Sequence, residues 1–153
     1  RIISGGHRAS VEGCEGGFFV EPTIIADATN GMKFAREEIF GPVLAVIKYS
    51  TTEEAIQLAN DTDYGLSAGI WTEDLIQAQK MARDLRAGSI WINDWHLMRT
   101  DTAFGGYKQS GYGREFGRAG LDAYLETKAV AMAFQRLPER KAMHTILHTN
   151  TAK

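Results

Sequence analysis

Val43-Leu44-Ala45-Val46-Ile47-Lys48-Tyr49-Ser50-Thr51-Thr52-Glu53-Glu54-Ala55-Ile56-Gln57-Leu58-Ala59 is the stretch from which the fold reads. Its first seven residues are rich in Val, Leu and Ile and predict a buried strand. Thr51 and Glu54 then stand three apart, the capping-box spacing that satisfies loose N–H groups at a helix start. Ala55, Leu58 and Ala59 give the i, i+3, i+4 apolar stripe of a helix packed on one face. The segment from Asn60 to Gly65 ends that helix. Leu66 to Trp71 predicts a second strand. Thr72 is placed to cap a second helix, with Leu75, Ala78, Ala82 and Leu85 along one face. Ala87-Gly88 stops it, and Ser89 to Asn93 predicts a third strand. Such alternation predicts an α/β fold, an open, mostly parallel sheet with flanking helices. Ligands of such sheets sit beyond the C-terminal strand ends. The loop from Asp94 to Gly111 leaves one such end and is where a site is expected.

Outward from this centre the signals thin. Residues 5–17 are Gly-rich and polar and read as a loop. Phe18 to Ile25 is β-prone, but Pro22 predicts an edge or irregular strand. A short helix is expected around Met32 to Glu37, and Arg114 to Leu125 is helix-compatible. Thr127 to Phe134 alternates and predicts a final strand; from Leu137 the tail is polar and basic and reads as an extension.

With 153 residues, 44% hydrophobic and 24% charged, the chain has the make-up of one globular domain. A net charge of -2 supplies no field to gather nucleic acid or an anionic membrane. No run of about eighteen apolar residues is present. The N-terminus lacks a basic segment followed by an apolar one; it also lacks a Met, as if cut from a longer chain. One cysteine, Cys14, excludes an intrachain disulfide framework. A reducing, cytoplasmic setting is the expectation. Cys14 sits beside Glu12 and Glu15, and nearby acids raise a thiol pKa, which is wrong for a nucleophile. His144 and His148 share helical spacing, but no acid or cysteine completes a metal set.

Two motifs carry chemistry. Glu37-Glu38-Ile39-Phe40-Gly41-Pro42-Val43 sets carboxylates beside an aromatic and a turn. A carboxylate can take two hydrogen bonds from ribose hydroxyls, and an aromatic ring can pack on a flat heteroaromatic. The pattern equally fits a helix end with solvated acids and a core Phe. The second motif is Phe104-Gly105-Gly106-Tyr107-Lys108-Gln109-Ser110-Gly111-Tyr112-Gly113-Arg114-Glu115. Its glycines allow close backbone approach and positive φ angles. It suits a cradle or a tight loop, and it is not a Walker A loop.

Together these motifs resemble the C-terminal part of the NAD(P)-dependent aldehyde dehydrogenase superfamily. Phe19-Val20-Glu21-Pro22-Thr23, Tyr64-Gly65-Leu66-Ser67-Ala68 and Glu126-Thr127-Lys128-Ala129-Val130 extend the likeness from about Gly16 to Phe134. The resemblance implies that Glu38 holds the nicotinamide ribose and that Phe40 lies against the nicotinamide. Glu115 matches a carboxylate that helps relay protons from the general base, with a structural ion pair as the plainer alternative. Asp94, Trp95, Leu97 and Phe104 match residues lining the aldehyde tunnel, although large aromatics are also simply core. Aromatic walls suit an apolar or cationic substrate, whereas Arg99 points to a carboxylate. Lys108 and Gly111 match a monovalent-cation site, which backbone carbonyls would have to build. The implied cofactor is NAD or NADP and the implied substrate a small aldehyde.

Residues 1–126 would then be the distal part of the catalytic domain. Residues 127–135 would be an oligomerisation strand, implying a homo-oligomer (dimer or tetramer), and 136–153 a C-terminal extension. The nucleophilic Cys and general-base Glu of the family would lie upstream of this sequence, leaving the isolated chain inactive. The alternative is a stand-alone, non-catalytic assembly or binding module that keeps this half-fold.

Overall fold

The computed structural model describes residues 1–132. Chain order is β1 (Ile2–Ser4), β2 (Thr23–Ile25), α1 (Lys33–Arg36), β3 (Val43–Ala45), α2 (Thr52–Asn60), β4 (Tyr64–Gly65), β5 (Ser67–Ile70), α3 (Leu75–Asp84), β6 (Ser89–Ile92), β7 (Tyr107–Lys108) and α4 (Gly117–Asp122). The fold is α/β, but the strands form three small sheets rather than one open sheet: β1-β2-β3, β4-β7 and β5-β6. Two pairings are parallel, β2 with β3 and β5 with β6. β1 joins β2 antiparallel, and so do β4 and β7.

α2 begins as its sequence predicts. The Thr51 hydroxyl accepts the N–H of Glu54 at 3.1 Å. The Glu54 carboxylate reaches back to the N–H of Ser50 at 2.7 Å, one residue ahead of the usual capping-box donor. α3 starts later than Thr72 predicts. Asp74 is its N-cap, one carboxylate oxygen taking the N–H groups of both Ile76 and Gln77, and Thr72 accepts the N–H of Asp74. An Asp that satisfies two orphan donors wins over a Thr two residues earlier. The shift turns Leu75 and Ile76 outward, 60% and 84% exposed. The face that packs carries Ala78, Met81, Ala82 and Leu85, set against Ala68, Ile70, Ile90 and Ile92 of β5-β6.

Of the edge or irregular stretch that Pro22 predicts, residues 18–22 are irregular, with only an isolated bridge from Val20 to Arg8, while β2 begins after the proline and is a central strand. The proline stands just before the first strand residue, where its missing N–H interrupts no ladder bond. Thr23 is buried; its hydroxyl accepts the Gly6 N–H and donates to the Glu21 carbonyl. Residues 127–132 form no strand. The remainder of the expected oligomerisation strand and the 136–153 extension lie outside the described residues.

Among the described residues no large side chain is wholly buried, while Leu44, Trp71 and Leu75 are each more than half exposed. Also among them, no helix is long and apolar enough to cross a membrane.

Candidate functional site

The glycine-rich segment forms one wall of the site because three backbone stretches cross almost in contact. β7 lies antiparallel to β4, Gly65 opposite Tyr107. The Gly65 N–H donates to the Ser110 hydroxyl at 2.9 Å, and the Gln109 N–H to the Asp63 carbonyl at 2.9 Å. A Cβ on Gly65 would stand 2.5 Å from the Arg86 carbonyl oxygen, and one on Gly88 would overlap the Gly105 carbonyl. Only hydrogen fits at these crossings. The Lys108 ammonium donates to the carbonyls of Asn60 (2.7 Å) and Thr62 (3.0 Å) at the C-terminal end of α2, where a cation is favoured. Arg114 donates to the Gly106 carbonyl at 3.0 Å, its guanidinium 5.5 Å from the Tyr107 ring centre.

The opposite wall comes from α1 and the residues after it. Asn30 donates to the Leu58 carbonyl and to Asp61, and Arg36 pairs with Asp61 at 3.1 Å. The Asn30 hydrogen bond and then the Arg36 guanidinium hold the Asp61 carboxyl below the usual range. This knot ties α1 to the end of α2. Between the walls lies a cleft of about 580 Å³ bordered by Glu37, Glu38, Asn60, Thr62, Gln109 and Ser110. Glu38 is exposed and lines this cleft together with Gln109 and Ser110 of the glycine turn. Phe40 lies outside the cleft lining. It is 92% exposed and adopts φ of 53°, a left-handed conformation that costs a non-Gly residue about 1–2 kcal/mol. A strained, uncovered aromatic beside the cleft is the sort of feature that marks a functional segment.

The predicted tunnel residues divide into two groups. Leu97 and Phe104 border a smaller cavity of about 280 Å³ with Trp91, Met98 and Arg99. Asp94 and Trp95 do not line it. The Asp94 carboxylate accepts the N–H of Trp95 at 2.7 Å. Trp95 joins an aromatic cluster, 5.3 Å from Trp91, 6.5 Å from Trp71 and 5.9 Å from His96 between ring centres. Glu115 is exposed and pairs through its backbone with Phe104, two N–H···O bonds of 2.8 Å. That isolated bridge sets Phe104 and Glu115 side by side. Glu115 and Glu38 line no common cavity. Gly111, with φ of 113°, follows Lys108 at the tip of the turn. Among the described residues, no group of three or more His, Cys, Asp and Glu could hold a metal ion.

Arg99 uses its guanidinium locally, donating to both Asp101 carboxylate oxygens at 2.9 and 2.7 Å. This pairing holds the Asp101 carboxyl at about 2. A carboxylate lowered in the folded state stabilises it fully above the ordinary carboxyl pKa, and that contribution is lost as pH falls through about 2. A carbon-13 titration of Asp101 should show its midpoint near 2, and Arg99→Met should raise it towards the ordinary ~3.9. An Asp101 midpoint near the ordinary value in the parent chain would contradict the pairing.

Trp91 was not legible as a site residue, because it alternates as a strand residue. Met98, Gln109 and Ser110 fall in the segment where a site is expected, but which cavity each lines was not legible.

The sequence profile described as "Aldehyde dehydrogenase family" matches residues 1–130. The betaine aldehyde dehydrogenase of Bacillus subtilis is 45% identical over 130 residues, covering 85% of this chain and 26% of that protein. An aldehyde dehydrogenase of Deinococcus radiodurans is 48% identical over 133 residues, 87% of this chain and 26% of that one. The crystal structure of Staphylococcus aureus betaine aldehyde dehydrogenase in complex with NAD+ superposes with a TM-score of 0.80 at 44% identity, covering 84% of this chain and 25% of that one. The chain thus spans about a quarter of the length of the relatives it matches. The matched residues 1–130 include the glycine turn and the Glu38 segment alike, and this chain belongs to the aldehyde dehydrogenase family.

Proposed function

We propose that this chain is the part of an NAD(P)-dependent aldehyde dehydrogenase that clamps the nicotinamide ribose and lines the approach of the aldehyde, in the oxidation of an aldehyde to a carboxylic acid. The observation that carries this is the cleft whose lining brings Glu38 together with Gln109 and Ser110 of the glycine turn. A carboxylate there accepts hydrogen bonds from two ribose hydroxyls and holds the sugar in one orientation. The chemistry of the site fits the coenzyme: an acceptor for hydroxyls, an exposed ring at Phe40 for a flat face, and open space between walls. When bound, NAD(P)+ supplies the hydride acceptor. The chain's own residues orient it. Leu97 and Phe104 form an apolar wall for the aldehyde; Asp94 and Trp95 stand at the rim. Glu115 helps to relay protons away from the general base. Backbone carbonyls of Lys108 and Gly111 hold a monovalent cation. The nucleophilic Cys and the general-base Glu come from polypeptide outside this sequence, and residues 127–135 pair with a second copy in a homo-oligomer.

The test is a chimera in which this chain replaces the matching quarter of the Bacillus subtilis relative. It should form NADH from an aldehyde and NAD, while the 153-residue chain alone should not. A folded chimera without turnover, or turnover by the chain alone, overturns the proposal.

A further inference from the structure

α2 closes without a cation of its own. Its last turn holds no basic residue, although the carbonyl end of a helix carries partial negative charge and unbonded acceptors. Side chains from two other segments supply what it lacks. From the segment around α1, the Asn30 amide donates to the carbonyls of Leu58 (2.9 Å) and Asp61 (3.2 Å). The Arg36 guanidinium donates to the Asp61 carbonyl at 3.2 Å and to its carboxylate at 3.1 Å. From the glycine turn, the Lys108 ammonium donates to the carbonyls of Asn60 and Thr62. The Asn60 side chain in turn bonds the Asp84 carbonyl and the Arg86 N–H, which braces this helix end against the end of α3.

Lys108 makes its bonds from a left-handed backbone, φ 52°, which is unfavourable for any residue but glycine. Such a conformation persists only where the surroundings over-determine it. Here the Gln109 N–H on the Asp63 carbonyl and the Gly65 N–H on the Ser110 hydroxyl fix the turn just beyond α2. The cleft of about 580 Å³ is built on the same three segments. Its lining takes Arg36 and Glu38 from the first, Asn60 and Thr62 from the second, and Gln109 and Ser110 from the third. Among the described residues no hydrogen bond joins residues 33–38 directly to residues 105–111. Each is tied instead to the end of α2.

We propose that Arg36 and Lys108 are positioning residues of the coenzyme cleft, two tethered cations whose common seat on the carbonyl end of α2 sets how far Glu38 stands from Gln109 and Ser110. The proposal rests on the reading of this cleft as the ribose site.

The experiment is made in the chimera, with the Kd for NAD read by calorimetry and kcat read at saturating NAD. Arg36→Met and Lys108→Met keep an apolar stem and lose the donors. Each should raise the Kd about tenfold, since hydrogen bonds from a charged donor are the stronger kind. The loss in kcat should be smaller, the mark of weakened binding rather than lost chemistry. Arg36→Lys and Lys108→Arg should recover most of the binding. The double variant Arg36→Met/Lys108→Met should bind no more than about threefold more weakly than the worse single one, not the roughly hundredfold below the parent that two independent losses give. Once one segment is free, the spacing is already lost. Lys33→Met is the control: that ammonium is also on α1 and pairs with Glu37, so its loss removes the same charge without touching α2. Its Kd should stay within about twofold of the parent.

Unchanged amide exchange in the β5-β6 ladder shows that a variant is folded. Arg36→Met and Arg36→Lys carry the comparison alone if Lys108→Met is not. The proposal is overturned by methionine variants that bind NAD as tightly as the parent, by losses that multiply, by conservative variants no better than methionine, or by a Lys33→Met loss as large as that of Arg36→Met. Glu38→Gln is run alongside. If it alone leaves NAD binding unchanged, Glu38 leaves the ribose and the two cations keep their role; if it alone weakens binding, the cations lose theirs. A folded chimera that binds no NAD overturns both readings.

Discussion

Glu38→Gln in the chimera should slow hydride transfer about 10- to 100-fold at saturating aldehyde while leaving the melting temperature unchanged. The glutamine keeps the shape and one oxygen acceptor but loses the charge. Hydrogen bonds to a charged group are worth about 1.5–3 kcal/mol, and each 1.4 kcal/mol is a factor of ten in rate. Stability should not move, because Glu38 is exposed and makes no described ion pair or side-chain hydrogen bond that folding depends on. Stopped-flow NADH absorbance reads the effect directly. A variant within twofold of the parent would remove Glu38 from the clamp, even if the chimera remained active.

Gly88→Ala should destabilise the described fold by about 3 kcal/mol, the upper part of the overpacking range. The new methyl would overlap the Gly105 carbonyl. Neither side can give way easily. The Gly88 N–H is bonded to the Gly65 carbonyl at 3.0 Å. The facing segment is pinned by Arg114 on the Gly106 carbonyl and by the Phe104–Glu115 backbone pair. Gly13→Ala is the comparison. Nothing lies within 4 Å of its Cβ, and the cost is only that of φ at 75°, about 1 kcal/mol. Urea midpoints of the two variants should separate accordingly. A Gly88→Ala midpoint equal to that of Gly13→Ala would mean that the crossing is loose in solution.

These expectations differ in how far they could be read before the fold was known. The β3-α2-β5-α3-β6 succession was legible because each element declares itself within a few residues: a Val/Ile run, a Thr-Glu cap, an apolar stripe. The start of α3 was misplaced by two residues because Thr72 and Asp74 both cap well, and only backbone geometry decides which one meets free N–H groups. Pro22 suggested an edge or an irregular stretch, and could not say that a central strand starts one residue after it, because a missing donor does not tell where the ladder begins. β4 and β7, two residues each, carry no periodic signal, and their pairing depends on contacts more than forty residues apart.

At the site, the chemistry of Glu38, Phe40 and the glycine turn could be named from residue type and resemblance, since a carboxylate or a glycine has the same capabilities anywhere. Which of them share a cavity could not. Asp94 and Trp95 parted from Leu97 and Phe104 because Trp95 found Trp91, Trp71 and His96, an association of rings contributed by one strand and two loops.

By itself the sequence determined the local choices: where helices start, which segments extend, which residues can accept a hydroxyl or tolerate a positive φ. These depend on neighbours a few positions away. Tertiary structure alone decided that Gly65, Gly88 and Gly105 cross, that Glu38 and Ser110 line one cleft, and that β3 and β5 are not paired with each other. The physical reason is that such contacts are set by the closing of long loops and the exclusion of volume between distant segments, which no short-range pattern encodes.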